Sequence, residues 1–518
     1  MNLNWIKINN NSKISLLDIP VLDISDLRIE TISLCGGCSD AFGGSKETFS
    51  KPFLHRLRPV GFFGKDWGRG DARLFVVLAD DSKGVFYVSS ALFKAGIREY
   101  DSFTSEVPAF HMFEREFFEE FNIKPVGHPW LKPVRKNTDN YQFFEMDGEE
   151  VHRVAVGPIH AGVIEPGHFR FMCNGETVYH LEIALGYQHR GVEDMMVRMP
   201  SNRLAESVCG DSVIAYNLAY SKLMESVKGV SVSSKAQLIR LLALEMERAA
   251  IHIGDLGAIA GDIAYLMGAS VFGATRTLVI NTMLEFSGSR FGRGLITIGG
   301  VNFDIEKEKV ERAKKTFDKV ERDVKRMVKT MLKNSSVVSR LEKTGTVNME
   351  RALEIGMSGL AARASGINID SRFDFPDKWY AASGADSLGI QRIHPKGTGD
   401  VNARFKIRYK EILQSFSIIR KAFEKLEDFA HEPVNSGYEV LNKENAKDVF
   451  AISAIEGWRG EIIHIAMTDG AGRLSRYKIK DPSFNNWYGL ALAVRNNGVS
   501  DFPLCNKSFN LSYCGCDL

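Results

Sequence analysis

The chain has 518 residues, long enough for two or more domains with large cores. Its 44% hydrophobic and 25% charged content is ordinary for a globular protein. A formal net charge of +2 gives no basic surface of the kind nucleic acid or anionic lipid would select. Taken in chain order, the first residues, MNLNWIKINNNSK, lack the basic start and apolar run of a secretory signal. The seven cysteines form an odd set without a secreted-domain pattern, so a reducing compartment is expected. The pair Cys35-Gly-Gly-Cys38 has spacing that can bind metal or cycle as a dithiol. With no second pair nearby in sequence, it reads as two ordinary thiols in a glycine-rich turn.

The stretch ARLFVVLADDSKGVFYVSSAL (72–92) predicts a hairpin around Asp81-Ser82-Lys83-Gly84. VPAFHMFEREFFEEFNIKPVGHPW (107–130) predicts a helix that ends near Pro125, and VRKNTDNYQFFEMDGEE (134–150) is polar enough to be a linker. Helical periodicity then runs over 202–227, 235–266, 270–287, 306–333 and 399–430, with strand-like sequence from 450 to the end. The fold class that follows is α+β. A small α/β domain covers 1–135, a linker 136–150, and a mainly helical domain with small β elements 151–518. The most apolar window, 257–274, is interrupted by Asp262 and studded with Gly and Ala. It reads as a tightly packed helix pair rather than a membrane span, so membrane association is expected only through partners.

Within the helical region, ESVCGDSVIAYNLAYSKLMESV (206–227) reads as a buried helix with one thiol near its start. Thiolate metal sites commonly use C-x-x-C, which aims two sulfurs at one point. Here Cys209 stands in the first position and Ser212 in the fourth, after Asp211.

An ordered set of segments carries a family resemblance. FEREFFEEFNIKPVGHP (113–129) resembles the C subunit of NADH–quinone oxidoreductase, complex I. GPIHAGVIEPGHFRF (157–171), LGYQHRGVE (185–193), LEMERAAIHIGDLGAI (244–259), SRFGRGLITIGGV (289–301), GLAARASGINIDSR (359–372), GDVNARFKIRY (399–409) and EGWRGE (456–461) follow in order. Together they resemble the complex I D subunit and the large subunits of membrane-bound group 4 nickel–iron hydrogenases, and the fused C-plus-D arrangement resembles the formate hydrogenlyase type.

The resemblance implies a site where hydrogenases use two C-x-x-C pairs to bind nickel and iron, metals suited to soft sulfur ligands. The segment like RVCGIC here reads SVCGDS (207–212), so only Cys209 matches a ligand. The C-terminal segment reads SFNLSYCGCDL (508–518), and without gaps its ligand positions fall on Ser512 and Gly515. A nickel–iron centre is therefore not expected. Cys209, Cys514 and Cys516, with Asp211, remain candidates for zinc or another metal, although C-x-C is poor spacing for one tetrahedral ion.

The complex I alternative, quinone reduction, keeps His160 of the GPxH loop but has Glu206 where the quinone-binding Tyr would be. Glu165 matches the hydrogenase glutamate that passes protons, or is a loop acid capping backbone N–H groups. Arg459 resembles the arginine over the active-site iron, or is a buried partner of Glu456 or Glu461. His160, His168 and His189 are relay groups or hydrogen-bonded loop histidines, and His252 is read as packing.

No set of four suitably spaced cysteines supports an iron–sulfur cluster in this chain. The family implies one in a small partner subunit, together with antiporter-like and complex I H-subunit-like membrane partners and a peripheral place on the cytoplasmic face of the cell membrane. The function so implied is the large subunit of an oxidoreductase complex coupling electron transfer to ion translocation, its nickel–iron site lost. The alternatives are an active cavity for quinone or a small electron carrier, a hydrogenase with unusual ligands, and a scaffold.

Overall fold

Strands buried on both faces give the molecule its framework. The computed structural model describes residues 4–36, 56–136, 141–160, 165–394, 397–435, 437, 440 and 442–518. The N-terminal segment forms β1 (Ile6–Asn9), β2 (Ser12–Ser15), β3 (Val21–Leu22), α1 (Ile24–Cys35), β4 (Arg58–Gly68), β5 (Asp71–Asp80), β6 (Val85–Phe93), β7 (Glu99–Asp101), α2 (His111–Phe121) and β8 (Lys124–Val126). Strands β9 (Val151–Val156), β10 (His168–Asn174) and β11 (Thr177–Ala184) make a three-stranded sheet.

Helices α3 (Val192–Arg198), α4 (Asn202–Glu206), α5 (Val213–Lys228), α6 (Ser234–Asp262) and α7 (Leu266–Ser287) follow. A small pair, β12 (Ile296–Thr297) and β13 (Gly300–Val301), precedes α8 (Lys307–Lys333), the short helices α9 (Ser335–Leu341), α10 (Met349–Glu354), α11 (Gly359–Ala364) and α12 (Ser371–Asp374), and then α13 (Val401–Leu426). The chain closes with β14 (Val449–Glu456), β15 (Glu461–Thr468), β16 (Leu474–Lys480), α14 (Ser483–Val494), α15 (Phe502–Phe509) and α16 (Tyr513–Asp517).

The first sheet has the order β1-β6-β5-β4, with β3 parallel to β6. Its β5–β6 hairpin turns at residues 81–84, where the turn residues predicted it. Phe62, Leu74 and Val76 belong to a core with Leu27 and Ile32 of α1 and Phe113 and Phe117 of α2. Phe63, Phe75 and Val77, on the opposite face, meet Phe450, Ile452, Ile463 and Ile465 of a second sheet, ordered β16-β15-β14-β2. Burial of both faces explains why β5 reads as a continuous apolar run. Because β2 comes from the N-terminal segment and pairs with β14, the two ends of the chain share a sheet and a core. The far face of β14 and β15, through Ala451, Ile455, Ile462 and Ala466, joins the core of α5, α6, α7, α8 and α13.

Two sequence readings change. Residues 206–227 do not form one helix: α4 ends at Glu206, Cys209 sits in the turn over 207–212, and α5 starts at Val213. Ser212 gives α5 no side-chain cap; Glu247 of α6 does that work, accepting from Ile214 N at 2.7 Å and Ala215 N at 3.3 Å. Strand character ends at Lys480, and 483–517 is mostly helical. The apolar window 257–274 divides between α6 and α7, as a packed pair; a Cβ at Gly257 would lie 3.1 Å from Phe272. Among the described residues no helix is long and apolar enough to cross a membrane. Residues 141–150 are irregular and largely exposed, and Cys38 lies outside the described residues.

A buried charge network ties these layers together. Arg363 of α11 donates to Glu411 Oε1 at 2.9 Å and Glu456 Oε1 at 2.7 Å. Glu411 also meets His252 Nε2 at 2.9 Å, so His252 is a buried partner in this network, as the packing reading expects. Arg372 pairs with Asp370 at 2.8 Å, and Arg58 joins β4 to Glu461 of β15 at 2.7 Å. Arg248 of α6 donates to the carbonyls of Glu456 at 2.6 Å and Gly457 at 2.9 Å, holding the end of β14.

Two outcomes follow for stability. Arg363→Met leaves Glu411 and Glu456 buried and short of their cation, so it should cost about 3–5 kcal/mol in urea unfolding. A loss below about 1 kcal/mol would show that the network carries little. Glu247 is raised to about 8, chiefly by burial, with the charge of Asp211 adding and the two capping N–H groups opposing. Its ordinary value is about 4.3. Its contribution is therefore present below the ordinary value and lost as pH rises through about 8. Glu247→Gln should flatten the decline of the unfolding midpoint across that window; an unchanged slope would contradict the assignment.

Candidate active site

Three segments far apart in sequence converge on one point: the 207–212 turn, the β14–β15 hairpin turn and the segment that opens α16. The hairpin turn is Gly457-Trp458-Arg459-Gly460, closed by Gly457 N to Gly460 O at 2.8 Å. Gly460 has φ +145°, and a Cβ there would lie 2.7 Å from Gly359 Cα, so only glycine fits. This tight turn presents Arg459, whose guanidinium lies over the Trp458 ring at 3.9 Å. Trp458 Nε1 in turn donates to Asp211 O at 2.8 Å, joining the hairpin to the cysteine turn.

Arg459 makes a two-pronged ion pair with Asp211, Nη1 to Oδ1 at 2.6 Å and Nη2 to Oδ2 at 2.7 Å. Its Nε donates to Asn510 O at 2.5 Å and its Nη1 lies 3.4 Å from Cys209 Sγ. The sequence offered Glu456 or Glu461 as its partner. Those carboxylates belong instead to Arg363 and Arg58.

Cys209 is buried. Its thiol donates to Asp211 Oδ1 at 3.1 Å and contacts Ser512 Oγ at 3.2 Å. Ser512 Oγ is also 3.6 Å from Cys514 Sγ, so both thiols contact the one hydroxyl. The neighbouring Cys514 thiol, then burial and the Asp211 charge, pushes Cys209 up; Cys209 is in turn the main cause that lowers half-buried Cys514. Burial raises Asp211, and the Arg459 guanidinium more than offsets it, leaving the carboxylate below its usual range.

The four positions where the resemblance puts metal ligands are thus Cys209, Ser212, Ser512 and Gly515. Gly515 N donates to Ser512 Oγ at 2.8 Å. A Cβ at Gly515 would lie 2.3 Å from Asp481 Oδ2 and 2.7 Å from Ser512 Oγ, so this position has no room for a ligating side chain. Asp481 is itself the acceptor of the Tyr216 hydroxyl.

The three candidate thiols do not come together. Cys516 belongs to a different core with Phe484, Trp487 and Tyr513, and its carbonyl faces Arg135 Nε at 3.2 Å. Alternate residues of the short α16 point to opposite sides, which sends Cys514 to the cluster and Cys516 away. Among the described residues no group of three or more His, Cys, Asp and Glu is arranged to hold a metal ion.

Glu165 reaches the cluster, its Oε2 3.4 Å from Cys514 N. His160 is hydrogen-bonded through Nε2 to Gly167 O at 2.8 Å. His168 Nδ1 contacts Gly157 O at 3.2 Å. His189 Nδ1 contacts Asp517 O at 2.8 Å, which helps hold α16 in place. Glu206 is buried against Asn217 Nδ2 and Gly294 N, both at 2.8 Å. The roles of Ser512 and Asp481 were not read from the sequence. Asp211 carried one available signal: a carboxylate stands where the hydrogenase-like segment has isoleucine.

A family profile described as the respiratory-chain NADH dehydrogenase 49 kDa subunit matches residues 262–518. The chain is 29% identical over 453 residues to formate hydrogenlyase subunit 5 of Escherichia coli (strain K12), covering 80% of this chain and 76% of that protein. It is 30% identical over 379 residues to the membrane-bound hydrogenase subunit alpha of Pyrococcus furiosus, covering 69% and 85%. A solved chain of the membrane-bound sulfane sulfur reductase, an archaeal respiratory membrane complex, shares the fold with a TM-score of 0.65 at 21% identity, over 72% of this chain and all of that one. With its ordered motifs and its α+β fold, the chain belongs to the superfamily of respiratory NADH dehydrogenase 49 kDa (complex I D) subunits and membrane-bound hydrogenase large subunits.

Proposed function

We propose that the site at Cys209 works without nickel and iron, and that the chain accepts electrons there as the large subunit of a membrane-associated oxidoreductase complex. The observation that carries this reading is the Arg459–Asp211 ion pair beside Cys209, where a hydrogenase would gather thiolates. The donor set also fails the centre chemically. One thiol, two hydroxyls and a glycine stand at the four ligand positions, and hydroxyls are poor partners for a soft metal.

In this reading Arg459 holds negative charge near the thiols, and Glu165 exchanges protons with the thiol side of the pocket. An iron–sulfur small subunit supplies or removes electrons, since this chain has no four-cysteine set for a cluster of its own. Antiporter-like and complex I H-subunit-like partners hold the assembly at the cytoplasmic face of the membrane and couple it to ion movement. The names of the relatives, subunits of membrane-bound hydrogenases and of a respiratory membrane complex, support such an assembly.

Two experiments test it. The complex, isolated from membranes under reductant, should give no deuterium–proton exchange; exchange at hydrogenase-like rates would overturn the metal-free reading. Glu165→Gln should lower the turnover of the assembled complex by about 10²-fold or more while the subunits still co-purify. Unchanged turnover would leave the chain a scaffold.

A further inference from the structure

We propose that Cys209 and Cys514 form a redox dithiol that takes oxidising equivalents from a small disulfide. Of the thiols placed in the structure, these two share a partner: Ser512 Oγ lies 3.2 Å from Cys209 Sγ and 3.6 Å from Cys514 Sγ. They differ in access. Cys514 is half-buried and Cys209 is 1% exposed, so the outer thiol meets a substrate and the inner one resolves it. Arg459 Nη1, 3.4 Å from Cys209 Sγ, partly offsets the burial and the Asp211 charge that raise the resolving thiol. Cys516, two residues on from Cys514, is turned into another core and cannot compete.

The chemistry balances without a metal. Cys514, as thiolate, attacks one sulfur of RS–SR; that bond breaks and the first thiol, RSH, leaves with a proton. Cys209 then attacks Cys514 Sγ, the mixed disulfide breaks, and the second RSH leaves. Two protein thiols and one disulfide thus become one Cys209–Cys514 bond and two small thiols, with two electrons passed to the substrate. Return to the dithiol takes two electrons and two protons, and that half alone rests on the electron donor proposed above. Closing the bond requires the Cys209 thiol to leave Asp211, and Asp211 keeps Arg459 as its partner when it does.

The test uses the full chain, anaerobically, in glutathione redox buffers, with thiol state read by mass mapping of peptides. Because the buffer supplies and removes the electrons, the outcome does not depend on any partner subunit. The expected result is a single two-electron transition that links the Cys209 peptide to the Cys514 peptide. Cys516→Ala should keep that link, while Cys209→Ala should lose it and carry one glutathione on Cys514. A Cys514–Cys516 bond, or glutathione on Cys514 of the unaltered chain with Cys209 still reduced, would overturn the proposal.

Discussion

The Arg459–Asp211 ion pair is the interaction on which the centre of this molecule depends. A largely buried guanidinium needs a carboxylate and further acceptors, or its burial costs several kcal/mol. Asp211 supplies both oxygens, Asn510 a carbonyl, and Trp458 the aromatic face. Meeting that requirement draws three segments together, because Asp211 lies in the turn before α5, Arg459 in the β14–β15 hairpin and Asn510 ahead of α16. The rest of the cluster is then a consequence of position. Cys209, two residues from Asp211, and Cys514, four from Asn510, are delivered to the same few ångströms.

The surrounding charges explain why this geometry is held firmly. Arg248 grips the carbonyls at the end of β14, so the hairpin that presents Arg459 is fixed from α6. Asp517 accepts from Gly186 N at 2.8 Å and Gln188 N at 2.9 Å, so α16 is fixed from the loop after β11. Arg248 of LEMER and the Gly186 and Gln188 amides of LGYQHRG therefore act as scaffolding around the site.

Much of the fold was legible because local signals are strong where they stand alone. The β5–β6 hairpin follows from Asp81-Ser82-Lys83-Gly84 between apolar runs, and α8 and α13 follow from unbroken helical periodicity. The break between α4 and α5 was not legible: apolar spacing continues through 206–227, and the cap that starts α5 comes from Glu247, 33 residues from Ile214. The helical ending was hidden in another way, since α15 and α16 are too short for periodicity to build. At the site, sequence singled out Arg459, Cys209, Glu165 and Cys514, and the structure brings them together. It could not pair Arg459 with Asp211, because residues 248 apart meet only through tertiary packing. Nor could it separate Cys514 from Cys516, which depends on the direction of one helical turn.

In the proposed reading, protein side chains fill the place a nickel–iron centre takes in a hydrogenase. Elemental analysis of the anaerobically purified chain, with any partner subunits that accompany it, decides this. The expected result is no nickel above background, with iron only in proportion to the clusters of partner subunits. Nickel near one equivalent per chain would contradict it.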